Sequence, residues 1–254
     1  MSMSKTLTDN INSWADDKNR LILYADIMGF KDIIFSTAHN DLKKRLLTFR
    51  KSFEMKIKPL RTGDYMRFVQ FSDSIIIVVN GIDSKMVNLV TKAGIILMHE
   101  AMKAEFPIKG VISQGMFTYD KDNELYFGRP LVNASLLHDE LYYYGIVVHH
   151  SAEKIIKNNI SIDCPYGISP ISLKKGKTSH YHLIWNMLKI NLSPGNITDK
   201  AIKWLEKIQE SVSGAPRIYI DNTISIIKND SESFLETLPM PATVSTPVSG
   251  YSIK

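Results

Sequence analysis

From Arg20 to Asp26 the chain reads Arg-Leu-Ile-Leu-Tyr-Ala-Asp, apolar without a break between its two charged ends. Such a run suits a central strand buried on both faces, and Gly29 three residues later permits a tight turn into a helix. The pattern recurs further on. Met66 to Phe71 and Ser74 to Val79 read as two strands joined at Ser72-Asp73-Ser74, which places Asp73 at a hairpin tip. A carboxylate that closes a buried strand beside a Gly-containing turn holds its charge at the sheet edge, within reach of a divalent cation and a phosphate. An Asp after a strand also serves as a simple turn or helix cap. Two carboxylates at adjacent strand ends repel each other, however, and a purely structural role gives no reason for that arrangement.

Strand and helix patterns alternate along the rest of the chain. Asp41 to Lys58 places Leu42, Leu46, Phe49 and Phe53 on one face, and Ser84 to Ala104 does the same with Met86, Val90, Ala93, Leu97 and Ala101. Ile108 to Tyr119 reads as a long strand with Glu124 to Phe127 as its short partner, and Pro130 starts a helix over Leu131 to Tyr142. A strand over Gly145 to His149, a short helix over Ala152 to Asn158 and a basic hairpin around Lys174 to Thr178, flanked by Ile171 to Leu173 and Ser179 to Trp185, follow. Asp199 to Val212 is one more amphipathic helix. The expected fold class is α+β, a ferredoxin-like β-α-β-β-α-β core with helices on one face and added C-terminal strands and helix. The expected division is an extension over 1–18, a core domain over 19–186, a helical extension over 187–236, and a disordered tail over 237–254 that is rich in Pro, Ser, Thr and Val.

At 254 residues, 44% hydrophobic and 22% charged, the chain can bury one full core and a small appendage. A net charge of +5 favours an anionic partner, and with Lys and Arg scattered along the sequence a polyphosphate fits at least as well as nucleic acid. No apolar stretch approaches a membrane span and Met1 to Lys18 has no signal-peptide core, so a cytoplasmic location with no membrane partner is expected. The single cysteine, Cys164, excludes an intrachain disulfide and a multi-cysteine zinc site. His149-His150 and His180-x-His182 lack a suitably spaced acidic or sulfur partner for zinc and read as exposed strand-end residues. Lys174-Lys175-Gly176-Lys177-Thr178 looks like the end of a phosphate-binding loop, but Ile171 stands where its first glycine belongs; a solvated hairpin is the plain alternative.

Together, the Asp-Ile-x-Gly-Phe turn after strand one, a second Asp 47 positions on and a Gly-x-x-x-x-Asn-Ala helix start resemble the class III nucleotidyl cyclase catalytic domain, over roughly residues 19–186. The resemblance implies that Asp26, Asp73 and the Ile27 carbonyl hold two Mn²⁺ or Mg²⁺ ions per site, and that Gly29 and Phe30 contact the triphosphate. It also implies a homodimer with shared active sites, in which Asn133, on a helix of the second chain, contacts ribose; a plain place in the first turn of that helix is the equal alternative for Asn133. Departures from the family pattern are informative. Val69 and Tyr126, or Leu125 in an alternative alignment, stand where purine cyclases read the base, and Leu137 stands where they carry the transition-state arginine. Lys174 and Lys177 are the first candidates to replace that cation, with Arg129 and Lys109 as alternatives, while Tyr126 is a candidate to stack on or hydrogen-bond a smaller base and Gln70 or Arg50 to meet its carbonyl. The pattern resembles the pyrimidine cyclases of bacterial Pycsar anti-phage systems. That implies CTP, or else UTP, as substrate, a cyclic nucleotide product acting on a downstream effector, and no nucleic-acid partner. A degenerate nucleotide-binding or interaction module is the rival from another class, and a two-metal polymerase or nuclease lacks a basic track for a strand.

Overall fold

The computed structural model describes residues 14, 16–161, 163–186 and 194–237. Its core follows the expected order: β1 (Lys18–Ile27), α1 (Phe30–Ser36), α2 (His39–Ile57), β2 (Met66–Phe71), β3 (Ser74–Val79), α3 (Ser84–Lys103) and β4 (Ile108–Asp120). There follow β5 (Leu125–Gly128), α4 (Arg129–Glu140), β6 (Ile146–Val148), α5 (His150–Lys157), β7 (Tyr166–Gly167), β8 (Pro170–Leu173), β9 (Gly176–Ser179), β10 (His182–Leu183), α6 (Pro194–Gln209) and α7 (Ala215–Thr237). The main sheet has the spatial order β2-β3-β1-β4-β6-β10-β7, with β5 paired to β4, and β8 and β9 form a separate hairpin. Its first four strands are antiparallel and have the ferredoxin-like order, with β1 in the centre.

The alternation of β1 assigns each face its cover. Leu21, Leu23, Ala25 and Ile27 join the main core with Phe49 and Phe53 of α2 and Val90 and Leu97 of α3. Ile22 faces the other way, into a cluster with Val78, Phe117 and Tyr119. On that opposite face Tyr24 packs with Ala134 and Leu137 of α4, Val111 and Val147. Helices therefore cover both faces of the sheet, not one as expected, because strands apolar at every position leave neither face fit for water.

Element boundaries also differ. The helix expected from Leu131 starts at Arg129, where Gly128 (φ 153°) lies so close to β4 that a Cβ would stand 2.4 Å from the Met116 carbonyl oxygen. In the basic hairpin the second strand is Gly176–Ser179, because Lys174 and Lys175 alone form the turn; His182–Leu183 leaves the hairpin and pairs in the main sheet with Val147 and Tyr166. Beyond α6, α7 docks on the core: Asn222 donates to the Tyr142 carbonyl over 2.8 Å, and Thr223 Oγ1 accepts from the Tyr144 N–H over 2.9 Å. Asp230 of α7 meets His182 Nε2 at 2.7 Å and accepts from Ser169 at 3.0 Å. His182 is thus fully buried with an acidic partner, contrary to expectation, and His180 bonds Glu153 at 3.0 Å. Of the disordered tail expected over 237–254, Thr237 ends α7 and the rest lies outside the described residues.

Candidate active site

The hairpin between β2 and β3 is closed by the pair Phe71↔Ser74, leaving Ser72 and Asp73 as its two-residue tip. Ser72 takes φ 56°, the positive φ that favoured two-residue hairpin turns require at the tip. The tip is fastened to β1: the Ile27 N–H donates to the Asp73 carbonyl over 3.1 Å, and Asp26 lies opposite Ser74 in the ladder. The structure therefore brings Asp26, Ile27 and Asp73 together at one sheet edge. Gly29 follows directly in the left-handed conformation (φ 68°), which reverses the chain into α1 and starts the helix at Phe30. The first amides of that helix have no intrahelical acceptor.

Asp26 is held more firmly than the sequence suggests. Its Oδ2 accepts from the Tyr24 hydroxyl at 2.7 Å and lies 3.6 Å from His138 Nε2 of α4, with the Tyr24 and His138 rings edge to face at 5.4 Å. Burial, then the hydrogen bond to Asp26, pushes the Tyr24 hydroxyl well above the usual phenol range, so it stays a donor. Burial and then the nearby Lys109 push His138 below the usual imidazole range, which leaves it uncharged at neutral pH. The remaining oxygen, Asp26 Oδ1, is buried with no hydrogen-bond partner. An orphaned anionic oxygen in such a place fits a cation as its missing partner. No group of three His, Cys, Asp or Glu side chains able to hold a metal occurs among the described residues, so any ion here draws further ligands from main chain and substrate.

Lys109 of β4 lies opposite Asp26 in the ladder, is 3% exposed, and donates to the Leu141 carbonyl at 3.3 Å. Burial is the main reason its pKa falls to about 8; Asp139 and Asp26 oppose the fall and Lys174 adds to it. Lys174 is thereby placed at the same end of the sheet, its N–H donating to the Glu140 carbonyl over 2.9 Å at the end of α4. Lys177 is exposed on β9, opposite Ser172. Tyr24 and His138 were not singled out from the sequence. The signal for Tyr24 was its two-residue spacing from Asp26, which puts both side chains on one face of a strand.

Other expected residues gather elsewhere. Arg129 and Asn133 occupy the first turns of α4, toward the Lys18 end of β1, and line a cleft of about 900 Å³ with His150 and Ser151. Tyr126 packs against Tyr119 (ring centroids 4.9 Å) and joins Val69 around one apolar cluster, whereas Leu125 is half exposed. Gln70 and Arg50 line a different hollow, with Phe30 and Ser72, between α1 and α2. Leu137 turns inward to apolar neighbours.

No protein-family model and no curated protein matches the sequence. Solved structures do resemble it. The adenylyl cyclase CyaB from P. aeruginosa superposes with a TM-score of 0.51 at 15% identity, over 66% of this chain and 94% of the other. The catalytic core of a rhodopsin-guanylyl cyclase with converted specificity, in complex with ATPαS, gives 0.51 at 17% identity over 66% and 95%. The fold is that of a nucleotidyl cyclase catalytic domain. A mutant guanylyl cyclase domain from the aquatic fungus Blastocladiella emersonii gives the same picture, with a TM-score of 0.51 at 15% identity over 66% and 97%. In this cyclase fold the Asp26 and Asp73 edge and the Arg129 and Asn133 cleft are separate parts of one chain.

Proposed function

We propose that the chain is a nucleotidyl cyclase that converts a pyrimidine nucleoside triphosphate, CTP ahead of UTP, to the 3′,5′-cyclic monophosphate and pyrophosphate. The observation that carries this reading is Asp26, with one oxygen held by Tyr24 and the other buried and unpartnered, fastened beside Asp73 in a cyclase fold. Asp26, Asp73 and the Ile27 carbonyl would hold Mn²⁺ or Mg²⁺, which when bound acidifies the ribose 3′-hydroxyl and offsets triphosphate charge. The protein's own part is mainly positioning, because nucleophile and electrophile belong to one molecule. The 3′ oxygen bonds to the α-phosphorus as the bond to the leaving pyrophosphate breaks, and the hydroxyl proton passes to solvent. The Gly29 and Phe30 amides cradle phosphate oxygens, and Lys174, with Lys109 behind it, supplies cationic charge from the same chain as the carboxylates.

Two further features support the finer reading. Val69 and Tyr126 share one apolar cluster, so the positions that would read a purine edge present ring and hydrocarbon, and a buried site discriminates strongly only where it can hydrogen-bond. The separation of Asn133 from Asp26 supports a homodimer in which each site takes carboxylates from one chain and Arg129 and Asn133 from the other. Exposed apolar residues stand at both places: Phe71 beside the carboxylate edge with Phe35 on α1, and Met116, Phe127 and Val132 lining the cleft. The resemblance to Pycsar cyclases supports a second-messenger role for the product, acting on a downstream effector in antiviral defence.

Leu137, packed inward, favours the alternative of a module that binds a nucleotide without turnover. Mn²⁺-dependent pyrophosphate release from single nucleoside triphosphates, with no template or primer, separates the two. Release supports the cyclase; nucleotide binding without release in every condition supports the module.

A further inference from the structure

Lysines and arginines occur along the whole chain, but its net excess of positive charge comes from one segment. Between His39 and Arg61 the chain has eight lysines and arginines against only Asp41 and Glu54, more than its whole excess of +5. These residues form α2 and the turn after it, whose inner face is buried through Leu42, Phe49, Phe53 and Ile57. The outer face is an ordered stripe. Lys44, Leu47, Lys51, Met55 and Lys58 follow at three- and four-residue steps, so cations and apolar side chains alternate along one line. Leu47 is 45% and Met55 63% exposed, and the three lysines are exposed as well. Lys43, Lys44 and Lys51 surround a hollow of about 260 Å³ beside Leu47. Lys43 and Leu47 also belong to the larger hollow of about 830 Å³ between α1 and α2, floored by Leu42 and Leu46.

We propose that the outer face of α2 is a docking surface for an anionic phospholipid membrane. The alternation decides between polyanions. A nucleic-acid backbone or an inorganic polyphosphate would engage the lysines and leave Leu47 and Met55 in water, whereas a lipid surface takes both: headgroup phosphates meet the lysines while the apolar side chains enter the acyl boundary. The three lysines around one hollow offer a place for a headgroup phosphate, and the larger hollow that shares Lys43 and Leu47 with it has Ile34, Leu42 and Leu46 in its lining, an adjoining place for hydrocarbon. No helix among the described residues is long and apolar enough to cross a membrane, so this contact is peripheral; it departs from the sequence expectation of no membrane partner, which rested on the lack of a spanning stretch. Near an anionic surface each cation contributes a factor of about five in partitioning. The lysine, leucine and methionine stripe uses none of the residues assigned to the cyclase site, so the inference stands independently of that reading, although the adjoining hollow is also lined by Phe30, Arg50 and Gln70.

Co-sedimentation of the full chain with vesicles tests it, using neutral phosphatidylcholine alone and phosphatidylcholine mixed with phosphatidylserine. The chain is expected on the mixed vesicles and not on the neutral ones, with release as salt is raised. Lys44→Glu with Lys51→Glu should weaken binding at least tenfold, and Leu47→Gln with Met55→Gln should weaken it severalfold at unchanged charge; melting curves show that each variant stays folded. Equal binding to both vesicle types, no binding to either, or binding of a short RNA duplex in place of the mixed vesicles would overturn the proposal. So would full binding by the folded Lys44→Glu, Lys51→Glu variant.

Discussion

The backbone N–H of Ile27 donates to the carbonyl oxygen of Asp73 over 3.1 Å, tying the tip of the β2–β3 hairpin to the end of β1. That bond is made by main chain, so it survives any change of the two carboxylate side chains. Asp26→Asn and Asp73→Asn are therefore expected to keep the fold and to lose turnover by at least a hundredfold, because each removes an anionic ligand and also relieves mutual repulsion. Melting temperature and pyrophosphate release should diverge. A variant with near wild-type turnover in Mn²⁺ would show that the carboxylate is no metal ligand.

Tyr24 orients Asp26 through one 2.7 Å hydrogen bond. Tyr24→Phe should leave the fold intact and weaken Mn²⁺ binding by about ten- to a hundredfold, the usual effect of removing a hydrogen bond behind a metal ligand. Metal titration of the turnover, with calorimetry alongside, checks this. Unchanged Mn²⁺ dependence would mean that Asp26 needs no such support.

Lys109 connects stability to pH. Burial lowers its pKa to about 8, so the folded chain gives up this proton before the unfolded chain does, and stability should climb as pH rises from about 8 toward 10.5. Lys109→Met should abolish that climb and melt about 2–4 °C higher at pH 7, the change that about 1 kcal/mol produces in a domain of this size. Turnover should fall at the same time. Stability profiles of the two proteins that superimpose from pH 7 to 10.5 would rule out the buried cation.

Much of this site and fold was legible in the sequence, and what was missed has physical causes. The central strand, the hairpin tip at Asp73 and the long helix from Ser84 were legible because their apolar periodicity is unbroken and their turns are formed by Gly, Ser and Asp. The helix over Ala215–Thr237 was expected only as part of a helical extension and not as a separate element packed on the core, because its inward face carries Thr223 and Asp230 among the isoleucines, and polar residues buried with partners look like surface in a sequence. His138 was hidden for the same reason: on the inward line Pro130, Ala134, His138 it reads as an ordinary helical residue until Asp26 is seen across from it. The basic face of α2 was visible as lysines but not as one surface, since only the packing of Leu42, Phe49 and Phe53 fixes which side faces out.

The two-chain site gives a complementation test. Lys174 lies on the same side as its own Asp26, so the partner's contribution is assigned to Arg129 and Asn133. An inactive Asp26→Asn chain mixed with an inactive Arg129→Ala, Asn133→Ala chain should recover one working site per mixed dimer. No recovery, together with a monomer in sedimentation, would refute the shared site.

Incubation of the purified chain with equal concentrations of ATP, GTP, CTP and UTP and Mn²⁺, followed by mass spectrometry of the products, tests reaction and base together. The account predicts cyclic CMP as the main product, with cyclic UMP as the only acceptable substitute. Dominant cyclic AMP or cyclic GMP would contradict the reading of Val69 and Tyr126, and the absence of any cyclic nucleotide would contradict the cyclase itself.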